Sequence, residues 1–404
     1  MKTKDVNSEV NVGEELGKGG LAASPPKKHY LGIVSFGRQF PVIVSLAAIA
    51  IFFQIESSYF LTPRNLTNLV GQTSTVAFLA LAEVLVLLLG EIDLSVGSVS
   101  GVCAAFLAVT VSRIGAPWWA GIALMLVIGV MIGLFQGSIV AYMKIPSFMV
   151  TLAGLLAWLG LQLKVLGSVQ SVSVFSHPIL GITSFFLPSV VSWSITLLII
   201  IYVAVRSWRE SYVRGNGLNR QMIRVVPITV VIAGSVVILN LYQGVPLSGA
   251  IVVLVVASFW WITKKTKFGV RMYAVGGSSE ASYRAGINVN RIRVAAFALA
   301  GLMAAMSGLM SVSYEQSAGT LTGGGTVLLE AVGAAVIGGT SLFGGSGSAW
   351  SAIAGSLVLV GIANGLDLMS EGAPVKYMVQ GVVVLGAVVV DRYVRSRRNS
   401  SASM

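Results

Sequence analysis

An all-α integral membrane protein, built as a polytopic bundle of about twelve transmembrane helices, is the fold class this sequence predicts, and three observations predict it. Mean hydropathy is +0.85 and only 10% of the 404 residues are charged, too apolar for a soluble domain. Many runs approach the roughly 20 apolar residues that cross a bilayer as a helix. The third is charge: threaded alternately through a membrane, the chain leaves 23 of its 27 Lys and Arg on one side and only Arg64, Arg113, Lys164 and Lys376 on the other. That is the asymmetry of a cytoplasmic face. The net charge of +12 therefore reports orientation, and no nucleic-acid partner is expected.

Residues 1–35 are polar, contain Pro25-Pro26 and lack the apolar content to fold alone, so a mobile cytoplasmic tail is expected before a transmembrane domain at 36–394. The first apolar run comes too late for a cleaved signal peptide. Spans are expected at 40–55, 73–89, 94–111, 118–142 and 148–166, with 56–69 as an external turn. The triplet Asn65-Leu66-Thr67 is formally a glycosylation sequon, a pattern frequent by chance. Span two runs into GEIDLSVGSVSG at 90–101, where Glu91 and Asp93 sit among apolar residues and Gly90, Gly97, Gly101, Ser95, Ser98 and Ser100 allow close contacts. Carboxylates facing lipid are costly. Two readings stay open: a broken helix lining a path, or a tight turn in which Asp93 caps the next span.

A short basic link, 143–147, is cytoplasmic, and 167–188 an external loop whose His177 has no companion at metal-ligand spacing. Span six at 190–205 meets the basic stretch RSWRESYVRGNGLNRQMIR, and spans seven (225–241) and eight (246–262) form a hairpin. Span nine (294–313), ten (327–337), eleven (349–363) and twelve (375–390) follow, then a basic cytoplasmic tail, 395–404. Span ten enters GGTSLFGGSGS. Setting Gly90 on Gly338 aligns Leu94 with Leu342, Gly97 with Gly345 and Ser98 with Ser346, a weak internal repeat of the kind transporters carry.

Between spans eight and nine, residues 264–293 carry seven Lys and Arg against Glu280 alone. Basic residues by themselves make an ordinary cytoplasmic loop. Here Gly276-Gly277 permit a tight turn, Ser278 or Ser279 can cap a short helix with Glu280 in its first turn, and Gly286 offers its stop.

The spacing Glu280-Ala281-Ser282, three residues, Gly286 resembles the EAA-x-x-x-G coupling loop of permeases in ATP-binding-cassette importers. The string AVGGSSEASYRAGINVNRIRV, the lead-in FLTPRNLTNLVGQTS, EIDLSVGS and LLEAVGAAVIGGTSLFGG are similar to those of monosaccharide permeases of the ribose and xylose type. KIPSFMVTLAG and the extra hairpin of spans seven and eight resemble the xylose type more. The resemblance implies a bacterial inner-membrane subunit that docks a cytoplasmic ATPase through Gly276, Gly277, Glu280, Ala281, Ser282 and Gly286. It implies an extracytoplasmic sugar-binding protein and a second permease copy as further partners, with lipid around them. Glu330 stands at the family's acidic position, whereas Glu83 stands near a place where sugar permeases usually carry Met. Translocation-path candidates are Glu91, Asp93, Ser95, Gly97, Glu330 and Asn364; Gln72, Asn240, Gln316 and Asp367 are further polar groups available to sugar hydroxyls.

There is no G-x-x-x-x-G-K-[ST] motif to cradle ATP phosphates, so ATP is expected on a partner subunit. No catalytic triad or metal-ligand cluster appears, and neither cofactor nor metal is expected. Cys103, the single cysteine, sits in an apolar run and is expected as a buried thiol. Two other readings compete: a related permease for another small solute, such as branched-chain amino acids or nucleosides, and an ion-coupled secondary transporter using Glu83, Glu91, Asp93 and Glu330 as a proton relay.

Overall fold

The structure, a computed structural model, describes residues 33–175, 177–214 and 218–402. The tail read at 1–35 lies almost wholly outside the described residues. Residues 39–404 form one compact unit. Its elements are helices: α1 (Ile33–Glu56), α2 (Pro63–Leu87), α3 (Val96–Ser112), α4 (Trp118–Tyr142), α5 (Ser147–Leu166), the short α6 (Gly181–Ser184), α7 (Ser189–Arg214), α8 (Leu218–Asn240), α9 (Leu247–Lys265), α10 (Lys267–Gly277), α11 (Ser279–Arg284), α12 (Val289–Glu315), α13 (Val327–Ile337), α14 (Trp350–Leu368) and α15 (Ala373–Ala402). Seven of them, α2, α4, α5, α7, α9, α12 and α14, are long and apolar enough to cross a membrane; five shorter apolar stretches lie in α1, α3, α8, α13 and α15.

The core is organised around α2. In its membrane-length window 83% of residues are buried, against 11% in α7, which presents its apolar side chains outward as a lipid-facing helix does. α2 packs on α12, α13, α14 and α9, and α12 packs in turn on α3 and α4. The α4–α12 contact is close because Gly129, Gly133 and Gly137, each four residues from the next, form a flat strip against Gly301 and the Phe297 backbone. Two short antiparallel ribbons join linkers at the end away from α10 and α11. β1 (Ser171–Ser173) pairs β4 (Ser317–Gly319), and β2 (Phe186–Leu187) pairs β3 (Val245–Pro246).

Three expectations are corrected. Residues 63–69, part of the 56–69 stretch read as an external turn, are the first turns of α2. Thr62 caps it by accepting from Asn65 N–H and Pro63 opens it; the polar residues there hid a helix from an apolar criterion. Asn65 is consequently buried, so the sequon is not displayed. Gly276-Gly277 form no tight turn. They close the 11-residue α10, a helix missed in a stretch that was read for one short helix only. Its signal was Phe268, Met272 and Val275 at helical spacing behind the Thr266 cap.

The register of the internal repeat is also shifted. α2 ends with Gly90 at φ +77° and Glu91 N–H donating to Val86 O; α13 ends with Gly339 at φ +98° and Thr340 N–H donating to Ala335 O. These are matching left-handed glycine caps, so Gly90 corresponds to Gly339 rather than Gly338. Beyond the caps the linkers diverge: Gly97 is helical whereas Gly345 is in a turn at φ +70°. The Leu94/Leu342, Gly97/Gly345 and Ser98/Ser346 identities are therefore not structural equivalences.

Candidate functional site

Three caps hold the segment between α9 and α12. The Thr266 side chain accepts from Gly269 N–H, Ser278 from Ala281 N–H at 3.2 Å, and Asn288 from Arg291 N–H at 3.0 Å. Each satisfies a free N–H at a helix start. Glu280 lies in the first turn of α11, where a negative charge is favoured, and pairs with Arg284 at 3.0 Å. Ser282 is buried, while Glu280, Ala281, Tyr283, Arg284 and Gly286 are exposed and present one continuous face. Gly286 follows the helix at φ +78° with open space around it, so its requirement is backbone conformation and not room.

Behind that face, the segment seats on the end of α2 and on the linker after α13. A Cβ on Gly276 would overlap the Leu88 carbonyl oxygen and come within 2.6 Å of Gly345 N, while Gly277 has nothing within 4 Å. Gly345 N–H itself donates to Leu88 O at 3.0 Å. Arg293 forms an ion pair with Glu91 at 2.9 Å, both largely shielded. Tyr273 Oη and Lys264 Nζ both donate to Gly347 O, at 2.8 and 3.3 Å, with Lys264 4.1 Å from the Tyr273 ring centroid. The linker after α2 and the linker after α13 are thus gripped together by one capped unit.

The linker after α2 has irregular backbone, which an apolar environment tolerates only when every polar group is met. Ile92 N–H donates to Ser147 Oγ at 3.2 Å and Leu94 N–H to Thr151 Oγ1 at 3.0 Å. Asp93 Oδ1 accepts from Ser95 N–H at 2.8 Å and from Ser95 Oγ at 2.6 Å, and Gln136 Nε2 donates to Ser95 Oγ at 2.9 Å. Asp93 therefore fixes Ser95, the N-cap residue of α3, rather than capping α3 itself. Glu83 of α2 lies beside Asp93, wholly buried; the Asp93 main chain is the polar group that approaches its carboxylate, and no side-chain donor meets it among the described residues. Cys103 is buried and free.

Glu91, Asp93, Ser95 and Gly97 thus share one linker; a Cβ on Gly97 would overlap Gly323 O, so α3 abuts the segment before α13. Glu330 and Asn364 stand apart from it. Glu330 Oε1 accepts from Gln380 Nε2 at 3.1 Å and Thr326 Oγ1 at 3.4 Å, bridging α13 to α15. Asn364 joins a polar string away from the capped unit: Asn65 Nδ2 donates to Asn364 Oδ1 at 2.8 Å, Asn364 Nδ2 to Gln72 Oε1 at 3.5 Å, and Gln72 Nε2 to Tyr314 Oη at 3.3 Å. Asn240 is elsewhere, bonded to Ser192; Asp367 pairs with Lys376; and Gln316, in the left-handed region at φ +59°, ends α12 with its carbonyl accepting from Val174 N–H. Sequence reasoning missed Gln136, Ser147 and Thr151. Their signal was a polar residue inside an apolar span, and a Ser/Thr pair one turn apart at the mouth of the next.

Residues 65–388 match the family described as branched-chain amino acid transport system permease components. The chain belongs to this permease family. It is 34% identical over 384 residues to the xylose transport system permease protein XylH of Escherichia coli (strain K12), covering 93% of this chain and 97% of that one. It is 31% identical to the protein of the same name from Haemophilus influenzae (strain ATCC 51907 / DSM 11121 / KW20 / Rd), covering 87% and 95%. It is 30% identical to the ribose import permease protein RbsC of Escherichia coli (strain K12), covering 87% and 92%. No solved structure matches the chain. The resemblance to ribose and xylose permeases read from the motifs is borne out, and this permease is a multi-pass protein of the inner membrane.

Proposed function

We propose that this permease is the membrane subunit of an ATP-binding-cassette importer that carries a monosaccharide, a xylose-like pentose foremost, into the cell. Its long relatives named for xylose and ribose support the sugar class. The observation that carries the mechanism is the seat of α10 on both linkers, Gly276 against Leu88 O and Gly345 N. A partner ATPase docked on the exposed face of α11 (Glu280, Ala281, Gly286, with Ser282 anchoring behind) moves the capped unit, and that unit bears on the linkers ending α2 and α13. ATP is bound by the ATPase, and an extracytoplasmic binding protein delivers the sugar to the opposite face. A second permease copy completes the complex. Twelve crossings, from the seven long and five shorter apolar helices, leave both termini and the capped unit in the cytoplasm, in keeping with the basic clusters.

One observation favours an ion-coupled transporter: the buried Glu83 beside Asp93, with no side-chain donor to its carboxylate among the described residues. A relay through the four carboxylates is interrupted, because Glu91 is held by Arg293 and Glu330 sits apart with Gln380. The two readings separate in cells expressing the permease together with an ATPase and a sugar-binding protein. Uptake of labelled xylose should persist when the proton gradient is collapsed and ATP is maintained, and an ATPase should co-purify. Uptake that dies with the gradient at normal ATP overturns the importer reading.

A further inference from the structure

We infer that one face of the first half of α2, marked by Arg64, Asn68, Gln72 and Thr75 and joined by Tyr314 of α12, forms a wall of the water-filled path and offers hydrogen bonds to the hydroxyls of the passing sugar. The inference rests on the importer reading for the identity of its ligand, but not for the wall itself.

Along α2 from Arg64 to Thr75, the positions that are not buried fall into two sets. Leu66 and Val70, four apart, are apolar, and Val70 packs close to Gly249 of α9. Arg64, Asn68, Gln72 and Thr75 follow spacings of four, four and three, and all are polar. At 100° per residue these four lie within about 80° of one another, and Leu66 and Val70 point away from them. One helix therefore shows hydrocarbon on one side and only polar groups on the other. Polar side chains at membrane depth face protein or a water-filled cavity, not lipid.

The depth is considerable. Arg64 to Thr75 spans about 16 Å of helix, against a hydrocarbon half-thickness of about 15 Å. From Val76 to Leu89 every residue of the segment is buried. The polar face is thus open from the end remote from the capped unit to about the midplane, and closed beyond it.

Its chemistry suits a neutral polyol. Below Arg64 no residue of the stripe is charged. Gln72 donates to Tyr314 Oη and accepts from Asn364 Nδ2, which fixes its amide across three helices. Tyr314 is 44% exposed, with the edge of its ring against Gly71 leaving aromatic surface uncovered. Fixed amides and hydroxyls beside an aromatic surface give many weak, exchangeable hydrogen bonds, which let a sugar enter and leave.

The test uses the assembled importer in cells, in a Cys103→Ala background. Asn68→Cys and Gln72→Cys should react with a small membrane-impermeant thiol reagent added outside, Leu66→Cys should not, and xylose should slow labelling at Gln72→Cys. Gln72→Leu and Tyr314→Phe should lower the maximal rate of xylose uptake by about fivefold, the effect of one withdrawn hydrogen bond, with binding-protein-stimulated ATP hydrolysis retained. Unreactive cysteines at both positions overturn the wall. A disulfide joining Gln72→Cys of two copies also overturns it, since it makes this face a subunit contact. Full labelling without xylose protection, and with uptake like the parent's, removes the sugar from the inference. Failure of the importer reading would look different: the cysteines would label, while parent cells took up no sugar at the expense of ATP.

Discussion

The main-chain N–H of Gly345 donates to the carbonyl of Leu88 at 3.0 Å, tying the linker after α13 to the end of α2 across more than half the chain. Gly276 lies against both partners of that bond. A displacement of α10 must therefore either carry the two linkers with it or break the contact, so on the proposed docking of an ATPase at α11 this junction would receive its force.

Gly276→Ala should be severe and Gly277→Ala mild. The first puts a methyl into the Leu88 carbonyl; the second meets nothing within 4 Å. The overlap is with backbone, so relief requires shifting α10 at a cost of about 1–3 kcal/mol. Both variants should insert normally. Gly276→Ala should uncouple ATP hydrolysis from uptake, measured in proteoliposomes containing the ATPase and the binding protein. Equal behaviour of the two would remove the junction from the mechanism.

The Glu91–Arg293 pair is shielded enough for a lost partner to matter. Glu91→Gln or Arg293→Gln alone should each destabilise by roughly 2–3 kcal/mol, because one charge remains without its counterion. The double variant should recover part of that loss. Thermal unfolding in detergent across the four proteins of the cycle measures the coupling, and additive losses would show the pair to be independent.

Asp93 and Glu83 make opposite demands. Asp93→Asn keeps an acceptor oxygen for Ser95 and should cost about 1 kcal/mol as a charged bond becomes neutral, while Asp93→Leu leaves Ser95 N–H and Oγ–H unmet and should abolish uptake. Glu83→Met replaces a buried carboxyl that meets no side-chain donor among the described residues with an apolar side chain, so it should raise the melting temperature and preserve uptake. If uptake vanishes with Glu83→Met while the protein remains folded, Glu83 carries a proton or ion in transport.

Ser171 and Gly319 face each other in the β1–β4 ribbon, and a Cβ built on Gly319 would lie 3.8 Å from that of Ser171. That separation is the mean for a disulfide. In a Cys103→Ala background, Ser171→Cys with Gly319→Cys should cross-link spontaneously on the oxidising side of the membrane, and Ser279→Cys should resist an impermeant thiol reagent. A reduced pair together with external labelling of Ser279→Cys would reverse the topology.

The bundle was legible because its signals are long apolar runs, and the short helix α11 because its cap is local: Ser278 lies three residues from the N–H it receives. What escaped was polar or distant. The start of α2 was hidden by Arg64, Asn65 and Asn68, polar residues that an apolar criterion does not count as span. The Gly345–Leu88 bond was invisible since each glycine in isolation suits any turn. The repeat register slipped by one because Gly338 and Gly339 are the same letter, and only φ tells which one takes the left-handed cap.

The near-complete burial of α2 has a consequence for biosynthesis. Its main partners, α12, α13 and α14, begin about 200 residues after Leu87, which at a synthesis rate of roughly 5–20 residues per second is about 10–40 s later. Throughout that interval Glu83 and the Arg64-to-Thr75 face lack the cover of α12, α13 and α14, and free diffusion into lipid would leave both in hydrocarbon. The nascent helix must therefore wait beside a polar companion, whether the insertion machinery or the early α3–α5 group. Replacing Glu83 with Met removes the carboxyl from that wait and should raise the yield of assembled permease.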